Sequence, residues 1–569
     1  MRKVNARRFV APAIAGALAV VLVAFLVAPL AEGVRGAVVD ANGHFTLAYI
    51  GNVFANPIYR EGFRNAVAIG IAATALAGVV GVGAAFVLDR YQIPGRRVFA
   101  ALVPLPLMVP PFVGAIGVKQ LFGQAGAFNA LLARVGLMNA AHPIDWLRDG
   151  RFVAVVALTA LHLYPLVYFN VAAALGGLNV ELEEAAASLG CRGARRFFKI
   201  TLPAIGPSLF AGGSIVFIWS LTELGVPLMC DYTRVTSVQI FTGLKDIGRN
   251  PFVYALVVVV LVATVVLYAG ARWLAGRARV VGATKVARAR RRVPLRPAPR
   301  AAVVVAMTAL IVAAALPNVA VVLVAFARDW YGTVLPAGLT VDHMRAAVGH
   351  DLVIPSIANS LRYVTLSTAF DVVVGTTIAY LVVRTRARLA HVLDVVSMLP
   401  LSVPGLVMAF GYLAVTREGR LLSFLNPVRD PTALLVIAYG VRRLPFVVRS
   451  AAAGLTQVSV ALEEAAASLG AGAWRTLSRV TLPLLSPHLL AGGTFAFALS
   501  MLEVSDSLIL AQRQATYPIT KAIYELYQLL GEGRQLAAAL GLWAMAFLAA
   551  AIAFSRAVLG RRDGGVFRI

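Results

Sequence analysis

Long uninterrupted apolar runs, such as Val10 to Leu30 and Tyr254 to Leu267, recur along this chain with little between them that could fold as a large water-soluble domain. A helix needs ~20 apolar residues to cross a hydrocarbon core of ~30 Å, and about a dozen runs meet that need. The reading is an all-α integral membrane protein of about 12 transmembrane helices. Six are placed in each half: near 10–31, 65–88, 98–120, 152–175, 208–230 and 252–274, then near 301–327, 359–383, 390–415, 432–454, 487–511 and 536–558. The first run is too long for the apolar core of a signal peptide and lacks a small-residue cleavage site, so it reads as a retained span.

Charge sets the orientation. The chain carries 52 basic against 26 acidic residues, a formal charge of +26. A soluble protein with that excess would suggest a nucleic-acid partner, but the basic residues crowd the loops of one side and lack the interleaved aromatics of a strand-binding groove. No nucleic acid is expected. Arg2, Lys3, Arg7 and Arg8 precede the first span, and Arg277, Arg279, Lys285, Arg288, Arg290, Arg291, Arg292, Arg296 and Arg300 form a mid-chain linker. Both segments, and the tail Arg561-Arg562, are expected in the cytoplasm. Both termini then lie on that side, with membrane lipid as the surrounding partner. The segment Glu32 to Arg64 is nearly balanced in charge, which suits the outer face. Cys191 and Cys230 fall on opposite expected sides, so neither a disulfide nor a metal framework is implied.

The halves also match by letter. Asn65, Gly81, Ala85 and Arg90 correspond to Asn359, Gly375, Ala379 and Arg384, and Leu105-Pro106-Leu107 with Pro110 corresponds to Leu399-Pro400-Leu401 with Pro404, all at an offset of 294. The offset then becomes 280, through Pro165 and Pro445, Gly212-Gly213 and Gly492-Gly493, and Glu223 and Glu503. This pattern describes two homologous six-helix units in the same orientation, 1–276 and 301–569, joined by a basic cytoplasmic linker at 277–300.

The sharpest repeat is the phrase LEEAAASLG, at Leu182–Gly190 and again at Leu462–Gly470. In each half it falls between spans four and five, within loops at about 181–206 and 461–486. Glu181, Glu183 and Glu184 are expected to open a short helix whose dipole they complement. Ala185 to Ala187 are expected to give a surface that another protein can approach closely. Gly190 is expected to end the helix in a left-handed conformation, as is Gly470. A basic helix with Arg192, Arg195, Arg196 and Lys199 should follow, stopped by Thr201-Leu202-Pro203 before span five. The second copy offers Arg475, Arg479 and Thr481-Leu482-Pro483.

These residues resemble a known pattern. Glu184-Ala185-Ala186, Gly190, Ile200, Leu202 and Pro203 fill the EAA loop of permease subunits of binding-protein-dependent ABC importers. Glu464-Ala465-Ala466, Gly470, Leu482 and Pro483 fill it a second time, with Val480 in place of isoleucine. The resemblance implies that each loop is a coupling helix seated in an ATPase subunit, so that two copies of the ATPase would be engaged. It also implies a periplasmic or extracellular solute-binding protein and a place in a bacterial inner membrane. The sequence contains no Gly-x-x-x-x-Gly-Lys-[Ser/Thr] phosphate loop, so no cofactor is expected on this chain. ATP and magnesium would be bound, and ATP hydrolysed, by the partner subunit. The fused layout is similar to permeases for ferric iron, 2-aminoethylphosphonate and thiamine. The runs Val109 to Gly117 and Asp231 to Ser237 are more similar to the first two. The alternative is a major-facilitator-type secondary transporter, because Asp89-Arg90 followed by Gly95-Arg96-Arg97 resembles that superfamily's signature loop, with the wrong spacing.

Ionisable residues inside spans are functional candidates by default. Glu223 and Glu503 are expected as a pseudo-symmetric acidic pair toward the outer leaflet, either an outer gate or cation-attracting vestibule, or two carboxylates that snorkel near the outer surface or fix helix ends. Arg442 and Arg443 fall mid-span, opposite His162 in the first half, and are expected to face the interior or a carboxylate such as Glu503 or Asp506. Pro165 and Pro445 are expected to kink their spans. The paired glycines are expected to permit close packing.

Overall fold

The computed structural model describes residues 2–40, 42–108, 110–139, 141–244, 250–277, 292–385, 388–420 and 422–560. Most of the basic linker and the tail Arg561-Arg562 lie outside them. Among the described residues the regular structure is helical apart from two short strand pairs, Tyr91–Gln92 beside Val293–Pro294 and Ala327–Asp329 beside Gly338–Leu339, and an isolated bridge between Val39 and Phe45. Among the described residues nine helices are long and apolar enough to cross a membrane, or up to twelve if each bent pair is one span.

Span two shows how the sequence builds these elements. Asn56 accepts a hydrogen bond from the Ile58 N–H (2.9 Å), Pro57 supplies a first helical residue with no N–H to satisfy, and the helix Pro57–Arg90 follows. Its buried stripe is made of small residues, Gly62, Ala66, Gly70, Ala73, Ala77 and Gly81, three or four positions apart. Small side chains let neighbouring backbones approach: a Cβ on Gly81 would lie 2.9 Å from the Tyr164 carbonyl oxygen of span four. The paired glycines act likewise. A Cβ on Gly212 would lie 3.1 Å from the Val167 Cα, and one on Gly492 would lie 2.8 Å from the Ser450 Cβ.

Three sequence-based expectations change. Span three is not one helix in either half: Arg96–Leu107 meets Pro111–Arg134 at 97°, and Leu389–Leu401 meets Gly405–Val415 at 108°. Pro110 and Pro111, and Pro404 in the second half, deny the ladder its N–H groups at the bend. Span five begins earlier and ends earlier than hydropathy indicates, as Gly193–Thr222 and Ala473–Met501. Pro203 and Pro483 do not stop the preceding helix. Each follows a five-residue π turn, Phe197–Thr201 or Leu477–Thr481, in which the Leu202 and Leu482 N–H groups reach back to Phe197 and Leu477. Widening by one residue absorbs the missing proline N–H and keeps the helix continuous. Pro165 and Pro445 likewise sit buried inside helices that run on through them, Arg151–Gly176 and Thr432–Gln457.

The described residues form two compact units. One comprises Gly51–Lys245 and Val259–His343, the other Met1–Ile50, Asp246–Val258 and Met344–Ile569. The duplicated sequence halves and the compact units therefore have different borders, because the first spans are exchanged. In the first of these units, Pro297–Phe326 packs on Pro111–Phe122, and a Cβ on Gly117 would strike the Pro317 carbonyl oxygen. In the other, Ala28–Val38 packs on Gly405–Val415, and a Cβ on Gly411 would lie 2.5 Å from the Pro29 carbonyl oxygen. Pro29 has no N–H for the Phe25 carbonyl four residues back, and the Tyr412 hydroxyl donates to that carbonyl instead (2.7 Å).

Candidate functional site

The repeated phrase folds the same way twice. Asn179 and Ser459 cap the helices Val180–Ser188 and Val460–Ser468 by accepting from the Glu181 and Ala461 N–H groups. Gly190 and Gly470 end them with φ of +81° and +83°. The Cys191 N–H returns to the Ala186 carbonyl (2.9 Å) and the Ala471 N–H to the Ala466 carbonyl (3.0 Å), which closes a Schellman cap in both halves. The left-handed glycine expected from sequence is thus in place.

The faces of these helices differ from a uniform small-residue surface. Glu184 and Ala185 are exposed, as are Glu464 and Ala465, but Ala186 is buried and Ala466 half-buried. Leu189 and Leu469 are the most exposed of the large apolar side chains here, at 88% and 89%. In the first turn of the span that follows the second loop helix, Trp474 also stands exposed.

Adjacent glutamates divide between the faces. Glu183 turns inward, where its Oε2 accepts from Arg90 Nη1 (2.7 Å) and its Oε1 from Thr201 Oγ1 (2.9 Å). In the second half Glu463 Oε1 accepts from Arg384 Nε (3.1 Å) and Thr481 Oγ1 (3.3 Å), while Arg384 Nη2 also donates to the Val458 carbonyl (2.8 Å). Sequence reading took Glu183 as one of three carboxylates at a helix start and assigned no role to Arg90 or Arg384. The signal was available: all three members recur in register in both halves.

Glu223 and Glu503 stand where the span-five helices stop. Glu223 Oε1 accepts from the Gly225 N–H (3.0 Å) and Glu503 Oε1 from the Ser505 N–H (3.1 Å), so each carboxylate opens the short helix that follows, Gly225–Met229 or Ser505–Leu510. Hydropathy missed the break because the apolar run continues across it. Glu503 also meets Arg442 and Arg443. Arg442 Nη1 lies 2.8 Å from Glu503 Oε1 and 3.4 Å from Asp506 Oδ2, and Arg443 Nη2 lies 2.5 Å from Glu503 Oε2. The arginines lie near the middle of Thr432–Gln457, which places Glu503 opposite the middle of that helix.

Burial separates the two arginines. The side chains of Glu503 and Arg443 are 4% and 8% exposed, whereas that of Arg442 is 20% exposed and needs Gly405 beside it, where any Cβ would collide with the guanidinium. Asp371 of the helix Val353–Arg384 is fully buried, with its Oδ1 3.4 Å from where a Cβ on Gly440 would lie, and neither of its carboxylate oxygens has a hydrogen-bond partner among the described residues. The first half carries His162 and Leu163 at the positions of Arg442 and Arg443, and His162 Nδ1 meets the Pro106 carbonyl (2.8 Å). A small cavity beside it is lined by Pro106, Pro110, His162, Pro317 and Asn318. No group of three or more His, Cys, Asp or Glu side chains suited to a metal ion occurs among the described residues.

Comparison with known proteins follows the same duplication. The model of the family described as binding-protein-dependent transport system inner membrane component matches twice, over residues 77–280 and 371–562, together more than half of the chain. The chain belongs to this family. It is a fused, two-unit permease and a multi-pass membrane protein, a transport subunit and not itself a catalyst, and the family assignment leaves no support for the major-facilitator reading. A putative ferric transport system permease protein of Haemophilus influenzae is 26% identical over 82% of this chain and 71% of its own length. A ferric transport system permease protein of Actinobacillus pleuropneumoniae is 25% identical over 81% of this chain, which spans 65% of that relative. A sulfate transport system permease protein of Salmonella typhimurium is 32% identical over 41% of this chain and 82% of its own length.

Proposed function

We propose that this permease is the channel of an ATP-driven importer that takes a small solute from an external binding protein and releases it into the cytoplasm. Two copies of a separate ATPase subunit, which hold the ATP and magnesium, would sit on the cytoplasmic face of a bacterial inner membrane, the side of both termini. Their seats are the repeated loops, through Glu184, Ala185, Ala186 and Gly190 and through Glu464, Ala465, Ala466 and Gly470. The observation that supports this is the pair of equally capped helices presenting Leu189 and Leu469 almost fully to the surroundings. A large apolar side chain left almost fully exposed at the same position of both loops gains free energy when a partner buries it. The energetic contribution of the permease is its different affinity for two states of the ATPase pair.

The cargo we favour is ferric iron or 2-aminoethylphosphonate, iron being the cargo named for two of the relatives that match over most of this chain. Along the path we place Glu223, Glu503, Arg442, Arg443, Pro165 and Pro445. Arg442 is the more accessible arginine and the better candidate to meet solute, while Arg443 holds Glu503.

Replacing Leu189 and Leu469 together by aspartate is expected to cut capture of the co-expressed ATPase by at least about tenfold, the factor that 1.4 kcal/mol produces. Co-purification from membranes measures it, with membrane insertion unchanged as the control. Undiminished capture would remove the loops as seats. For the cargo, the ligand carried by the binding protein encoded beside this chain is the deciding measurement: neither ferric iron nor an aminoalkylphosphonate in that protein would overturn the assignment.

A further inference from the structure

The ion pair behind each repeated loop belongs to neither the ATPase-facing surface nor the Glu-Ala-Ala pattern. We infer that Glu183 and Glu463 are positioning residues that lock each loop helix to spans two and five, so that a push on the loop moves those spans. The inference rests on the coupling role proposed above.

One carboxylate bridges three elements. Glu183 stands on the loop helix, its Oε2 on Arg90 at the last residue of span two, its Oε1 on Thr201 at the end of the π turn that enters span five. The guanidinium of Arg90 lies 5.5 Å from the Phe86 ring centroid, and Phe86 meets Phe197 of that same π turn edge-on at 5.0 Å. In the second half Arg384 adds a bond to the Val458 carbonyl at the end of span four, tying a further span to Glu463.

Physical chemistry separates this contact from a surface ion pair. Exposed pairs contribute ~0–1 kcal/mol and yield readily, so a loop held only by them would absorb displacement by bending. Here the side chains of Arg90 and Glu183 are 9% and 4% exposed. Removing one partner strands a buried charge, which makes the contact hard to break during a stroke. Arginine suits the task because its planar fork fixes orientation as well as distance. Had the glutamate served only to complement the helix dipole, it would stand in solvent, as the neighbouring Glu184 does. The recurrence of arginine, glutamate and threonine behind both loops makes the tether a paired device, one for each loop.

The test uses the full chain reconstituted with its ATPase and loaded binding protein. Glu183→Gln combined with Glu463→Gln is expected to leave the ATPase bound while uptake and binding-protein-stimulated hydrolysis fall by about tenfold or more. A nitroxide on Cys191, the half-exposed thiol next to Gly190, should gain mobility, since the other cysteine, Cys230, is buried. Exchanging the charges, Arg90→Glu with Glu183→Arg and Arg384→Glu with Glu463→Arg, should restore immobility and part of the stimulation. Should the glutamine variant fail to insert, Thr201→Val with Thr481→Val carries the test, with a smaller loss in the same direction. An immobile label with wild-type stimulation in the inserted variants would overturn the inference, and so would loss of ATPase binding, which would make Glu183 part of the seat. A wild-type chain that captures no ATPase would instead overturn the coupling role itself.

Discussion

Arg443→Met is expected to be the most damaging single substitution at the centre of the second half. It leaves Glu503 buried with only the more accessible Arg442 for charge compensation. Breaking a buried pair by deleting one partner costs about 3–5 kcal/mol, because the remaining charge keeps its desolvation penalty. That is a large share of the ~5–15 kcal/mol that typically separates folded from unfolded domains. The measurement is the folded fraction in detergent and its melting temperature. Adding Glu503→Gln to Arg443→Met should recover much of the loss, since the stranded charge is then gone. The double-mutant cycle therefore reports a strong coupling between the two positions. Equal stability of Arg443→Met and wild type would refute the structural role of the pair.

Gly117→Ala and Gly411→Ala come next. Overpacking a core costs ~1–3 kcal/mol where side chains can adjust, but the obstructing atoms here are backbone carbonyls, those of Pro317 and Pro29. Each added methyl group should force the exchanged first span away from span three. The expected cost lies at or above the upper end of that range. Disulfide trapping between engineered cysteines on Ala28–Val38 and Gly405–Val415 measures the detachment. Unchanged trapping yield in Gly411→Ala would show that the close approach carries no weight. Gly83, with nothing near its Cβ position, is the matched control.

The spans, the duplication and the repeated loops were legible because each leaves a local signal: an apolar run, a constant offset, a phrase said twice. The left-handed Gly190 and Gly470 followed from helix-ending chemistry, and the cost of a charge inside a span led to the expectation that Arg442 and Arg443 face the interior or a carboxylate such as Glu503 or Asp506. What remained hidden has no local signal. Apolar letters continue through Leu224 to Leu228, so hydropathy cannot place a helix end at Glu223. Two neighbouring glutamates look alike in a sequence, and only the 100° step of a helix sends Glu183 inward and Glu184 outward. The meeting of Pro29 with Gly411 joins residues hundreds of positions apart, where no periodicity connects them.

That last contact puts a clock into synthesis. A ribosome delivers this chain from its amino end, and domains ordinarily fold as they emerge. The unit built on Gly51–Lys245 also contains Pro297–Phe326, so its span three has nothing to close against Gly117 until the second half has begun to appear. The first span, made earliest, waits longer still for Gly411. The first half is thus held open until the second arrives, whereas span three of the second half finds its partner already made. Fusion into a single polypeptide turns that wait into an event within one chain, where the missing piece is always in attendance and always present in equal number.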